Sequence, residues 1–172
     1  MGQQQLLLLV LGIVIVGPAV VVGIQSFNET RQKSEIDRYT GLGVEMAGNV
    51  IAYYAKPVAM GGAGRSAAAL GTVTVSSLGL PQMFLDSYAG YTRTGFQSNG
   101  IRRDLMMSTT HPAWHITTYP LVTGGTRVEV YMFGPHPECI VSRSNYVGVA
   151  TWSDGNTDST PPANPDASRC GW

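Results

Sequence analysis

Along the chain the hydrophobic and polar positions fall into three successive patterns. Residues 6–24 are built only from Leu, Val, Ile, Ala, Gly and Pro, with no polar position to interrupt them. As an α-helix rising ~1.5 Å per residue, that run is ~28 Å long, close to the thickness of a bilayer's hydrocarbon core. From Ile36 the apolar residues Tyr39, Leu42, Met46, Val50 and Tyr53 follow at steps of three and four, with Glu29, Arg31, Lys33, Glu35, Asp37 and Arg38 on the other faces. This predicts an amphipathic helix to about Lys56, where Pro57 and Gly61-Gly62-Ala63-Gly64 stop it. Beyond that loop the period changes to two.

Thr72-Val73-Thr74-Val75, His115 to Tyr119 and Arg127 to Phe133 are rich in β-formers or alternate. The last two flank Thr123-Gly124-Gly125-Thr126, which predicts an antiparallel hairpin with Val128, Val130 and Met132 on one face. Cys139-Ile140-Val141-Ser142 and residues 146–150 are further candidate strands, and residues 153–172 read as loop. The predicted class is α+β: a long N-terminal helix, apolar then amphipathic, packed on a small antiparallel sheet. Its segments are 1–27 (apolar helix), 28–60 (amphipathic helix) and 61–172 (β-rich head).

The apolar run has rival readings. As the core helix of a soluble protein it would need burial on every face, and the remainder of a 172-residue chain is too small for that. As a cleaved secretory signal it lacks a preceding Lys or Arg and an A-x-A-like site, and it exceeds the usual apolar stretch of such signals. The sequence therefore predicts a segment retained in the mature protein. Inside it, Pro18 lacks a donor and follows Gly17, so a kink or unwound turn is expected there, with Gly12 and Gly23 as further weak helix formers.

Charge changes the picture little. Eleven basic residues balance eleven acidic ones, and no basic stripe marks a nucleic-acid partner. The two cysteines, Cys139 and Cys170, bracket a stretch rich in Pro, Asp, Asn, Ser and Thr, which apolar burial cannot hold together. A disulfide between them is expected, with two free thiols as the alternative, and it places the head in an oxidising compartment.

Candidate chemistry is sparse. His111 and His115 have a helical metal-ligand spacing but lie around Pro112 in a β-rich stretch, and His136 and Glu138 adjoin a cysteine better used in a disulfide. Asp154-Gly155-Asn156-Thr157-Asp158 opens like a calcium loop but lacks the sixth-position glycine and has Pro165 at the twelfth. Gly62-Ala63-Gly64-Arg65-Ser66-Ala67 fits a loose dinucleotide pattern but leaves a helix where that motif leaves a strand. Asn28-Glu29-Thr30 is a glycosylation sequon close to the apolar run. No nucleophile elbow is present, so no catalytic residue, cofactor or metal is assigned, and an enzyme is not expected.

An apolar helix starting almost at residue 1 and interrupted by Pro18, an amphipathic continuation, a small β-rich head and a late cysteine pair together resemble the type IV pilins and their pilin-like relatives. The resemblance is architectural and spans the chain. It implies a structural subunit of an extracellular filament at the cell surface, a homo-oligomer whose core is packed by residues such as Leu6, Leu9, Gly12, Val14, Gly17, Pro18 and Gly23. It also implies leader cleavage after a glycine, here Gly2, and assembly from the inner membrane by pilus or secretion machinery. The family's glutamate four residues past the cleavage point is replaced by Leu7, or by Gln5 if Met1 is retained, and the charged leader is missing. Either the start lies upstream or N-termini dock through neutral hydrogen bonds from Gln3, Gln4 and Gln5. The alternative function is a membrane-anchored binding head, as in a minor pseudopilin or an adhesin.

Overall fold

The computed structural model describes residues 2–71, 73–82, 84–88, 91–98, 101–108, 114–120, 125–146 and 162–172. They form two compact units, Met1–Glu35 and Ile36–Trp172. The first unit is helix. The second holds the amphipathic helix, a six-stranded sheet and the C-terminal stretch.

Helix α1 runs Gly2–Ala55 without a break, through Gly17 and Pro18. The expected unwound turn is therefore not present in the single chain. Proline's fixed φ is helical, so the local loss is one donor, which leaves the Val14 carbonyl without its usual partner. The helix ends one residue before Lys56 as Pro57 predicts, and the glycine-rich loop then folds back on it. The amides of Ala63, Gly64 and Arg65 donate to the carbonyls of Tyr53, Lys56 and Tyr54 at 2.8–3.0 Å, satisfying acceptors that the last turn leaves open.

Strands β1 (Phe84–Tyr88), β2 (Tyr91–Ser98), β3 (Ile101–Ser108), β4 (Trp114–Pro120), β5 (Thr126–Met132) and β6 (Ile140–Tyr146) make an antiparallel meander in chain order. The expected pairing of β4 with β5 is present, with Ile116 opposite Val130 and Trp114 opposite Met132. Gly125, at φ +128°, serves this turn with a backbone that side-chain-bearing residues avoid.

One face of the sheet carries Ile101, Leu105, Trp114, Ile116, Val128, Val130 and Met132 into a core shared with Tyr39, Met46, Ala47 and Val50 of α1. Tyr39, Met46 and Val50 match the stripe read from the sequence, and Ala47 adds to it. Gly43 joins them for a different reason. A Cβ there would stand 2.6 Å from Val130 Cγ2, so the glycine is what lets helix and sheet approach.

Three expectations on the head are corrected. Residues 73–75 form no strand: Thr74 and Ser77 bond reciprocally, Thr74 N to Ser77 Oγ at 3.0 Å and Ser77 Oγ to the Thr74 carbonyl at 2.7 Å, folding the backbone into turns. Val73 and Val75 are nonetheless buried in the core. Cys139 lies in a 3₁₀ turn, Pro137–Cys139, and the strand expected from Cys139 begins instead at Ile140 and runs as β6 to Tyr146. Strands β1 to β3, absent from the sequence reading, supply half the sheet. Asp154 to Asp158, His111, Thr72, Thr123, Gly124 and residues 147–150 lie outside the described residues.

Candidate functional site

In the first unit the large apolar side chains between Leu6 and Ile24 all remain at least half exposed, from 50% at Val10 and Leu11 to 68% at Leu7. The segment is long and apolar enough to cross a membrane, and none of it is buried within the chain. Leu6, Leu9 and Val14 stand out from the helix, at 67%, 63% and 61% exposed. A Cβ at Gly2, Gly12, Gly17 or Gly23 would meet nothing within 4 Å, so no contact inside the chain explains a glycine there. Each interior glycine costs the helix about 1 kcal/mol relative to alanine. Such a surface in water is unfavourable by roughly 25 cal/mol per Å² of apolar area, and it calls for lipid or protein as its surroundings.

The second unit covers its helix-facing surface with apolar residues and its opposite face with charge. On that opposite face, register places Asp104, Thr117, Glu129 and Arg143 in one row across β3, β4, β5 and β6. All four are buried, from 0% to 3% exposed. Glu129 accepts from Arg127 Nη2 at 2.6 Å on one oxygen and from Tyr131 Oη, Arg143 Nε and Arg143 Nη2 at 2.7, 3.0 and 2.8 Å on the other. Asp104 accepts from Arg102 Nε and Tyr119 Oη, both at 3.0 Å. Burial alone would push the Glu129 carboxyl up. Arg127 foremost, then Tyr131, His115 and Arg143, outweigh burial and hold it below the usual range. Each carboxylate is thus already matched by guanidinium and phenol donors, an arrangement suited to holding strands in register.

His115 is half-buried and its ring stacks 5.1 Å from that of Tyr131, while His136 is exposed. Among the described residues no group of three or more His, Cys, Asp or Glu side chains is gathered as metal ligands would be. Cys139 and Cys170 are bonded to each other, their Cα atoms 5.4 Å apart across a sequence separation of 31. The bond sits with Tyr131, Phe133 and Val141 in a second small core.

The sequence reading missed two features here. The row of buried charges was hidden because a charged residue inside a strand reads as solvent-facing. Trp172, two residues past Cys170, packs against Tyr54 at 5.2 Å and Trp114 at 5.4 Å; its closeness to a bonded cysteine was the only available signal. No family model, curated protein or solved structure matches this chain.

Proposed function

We propose that this protein is a structural subunit of an extracellular pilus-like filament, assembled by packing of its N-terminal apolar helices. The observation that carries the reading is the wholly unpartnered helix over residues 6–24, joined in one unbroken α-helix to an amphipathic stretch that seats on an antiparallel sheet. Before assembly the apolar segment resides in the inner membrane, whose hydrocarbon matches its length. Pilus or secretion machinery then transfers it, after processing near Gly2, from lipid to the flanks of other copies, exchanging one apolar environment for another. In that setting Gly12, Gly17 and Gly23 allow close helix approach, while Leu6, Leu9 and Val14 fill the space between helices. The oxidised cysteine pair fits a head that ends outside the cytoplasm.

The test is Val14→Asp. An uncompensated carboxylate in a packed apolar core costs several kcal/mol, so sheared filaments disappear while the head keeps its disulfide and its circular dichroism. Filaments in normal yield from this variant would favour the anchored binding head instead.

A further inference from the structure

Every hydrogen bond made by the described residues 162–172 stays within that stretch. Asn164 Nδ2 donates to the Cys170 carbonyl at 3.1 Å, Asp166 receives Ser168 Oγ at 2.6 Å, and the amides of Arg169 and Cys170 return to the Asp166 carbonyl. Among the described residues, two attachments tie this stretch to the head. One is the disulfide, on the sheet face turned away from α1. The other is Trp172, which reaches the helix-side core and lies edge-on to Tyr54 and tilted against Trp114. Between them the chain crosses Gly134, where a Cβ would come within 3.0 Å of the Gly171 nitrogen and 3.3 Å of Cys170 Cα. The Trp172 indole N–H is buried without an acceptor, and among the described residues it is ring packing against Tyr54 and Trp114 that seats it.

The sulfurs are closed in, with Cys139 fully buried and Cys170 at 5% exposure. A thiolate must approach along the S–S axis, and the buried pair, packed with Tyr131, Phe133 and Val141, is reached only once the stretch that carries Cys170 lifts from the head. We propose that residues 162–172 form a latched strap in which Trp172 pins down the stretch that carries Cys170 and the disulfide in turn keeps Trp172 in place. Reduction by a dithiol then frees the strap as one unit and bares an aromatic slot made by Tyr54 and Trp114, with the sheet still folded. In the step, one thiolate of the reductant attacks a cysteine sulfur, the S–S bond breaks and a mixed disulfide forms. The reductant's second thiolate resolves it, so that two electrons and two protons pass to the protein thiols and the reductant leaves as its own disulfide. Strap opening precedes attack and governs its rate.

The test uses the full chain in detergent with dithiothreitol under native conditions, counting trapped thiols by mass spectrometry over time. Trp172→Ala is expected to be reduced about tenfold faster than wild type or more, and Trp172→Phe to fall between them. After reduction the wild type gains an acrylamide-quenchable indole that Trp172→Ala does not show, with far-ultraviolet dichroism unchanged. Equal reduction rates in wild type and Trp172→Ala, or loss of the sheet signal together with the disulfide, would overturn the proposal. Should Trp172→Ala not fold, the Cys139→Ser/Cys170→Ser variant decides. An added quenchable indole with the sheet intact supports the strap, and quenching equal to the oxidised wild type refutes it.

Discussion

Glu129 is 3% exposed yet charged, and its stability contribution follows from that pairing. Its carboxyl is held below the ordinary 4.5, so the contribution is complete above that pH and is lost as pH falls through the lower folded-state value. Tyr131 behaves oppositely. Burial first, then the Glu129 charge, raise its hydroxyl above 10, so its share is present below pH 10 and is lost as pH climbs through the raised value. Denaturation midpoints of the wild type are expected to fall below pH 4.5, and Glu129→Gln to flatten that slope. Removing one partner is harsher. Arg143→Met strips Glu129 of two donated bonds and is expected to destabilise by ~3–5 kcal/mol, measured by urea unfolding in detergent, with Glu129→Leu/Arg143→Met recovering most of the loss. The glycines of α1 give a matched pair. Gly43→Ala drives a Cβ against the stiff, buried Val130 and is expected to cost ~1–3 kcal/mol. Gly48→Ala meets nothing within 4 Å and is expected to stabilise by up to ~1 kcal/mol in the same assay.

At the scale of elements, legibility followed periodicity. The α1 stripe was readable because Tyr39, Met46 and Val50 recur at helical steps and are among the residues buried. Strands β4 and β5 were readable because Ile116, Val128, Val130 and Met132 alternate with residues of the other face. Strands β2 and β3 were not, since Arg93, Arg102, Arg103 and Asp104 break the apolar alternation. Asp104 is in fact wholly buried, its charge met by Arg102 and Tyr119. A turn signal did exist there. Asn99-Gly100 stands between Ser98 and Ile101, which pair across the hairpin. Residues 73–75 misled in the other direction, because β-branched residues also fill Ser/Thr-bonded turns. The cysteine pair was legible from composition, and its energetic role belongs to this scale. Cys139→Ser/Cys170→Ser is expected to lower stability by ~3–4 kcal/mol in the chain-entropy account of a loop this long, read as a drop in urea midpoint.

For the whole molecule, the contrast lies between a head that buries its own apolar residues and a segment that buries none. The apolar run was the plainest feature of the sequence because an uninterrupted pattern needs no tertiary context to be read. Whether lipid or other copies surround it lies outside the chain, and a single chain's periodicity does not encode it; Gly12, Gly17 and Gly23 serve lipid contact and helix contact alike. The direct measurement is cryo-electron microscopy of material sheared from cells expressing the protein. The account predicts filaments in which copies of this chain pack residues 6–24 at the centre and carry their disulfide-bonded heads outside. Sheared fractions free of such filaments, with the chain recovered as single copies in the membrane, would contradict it.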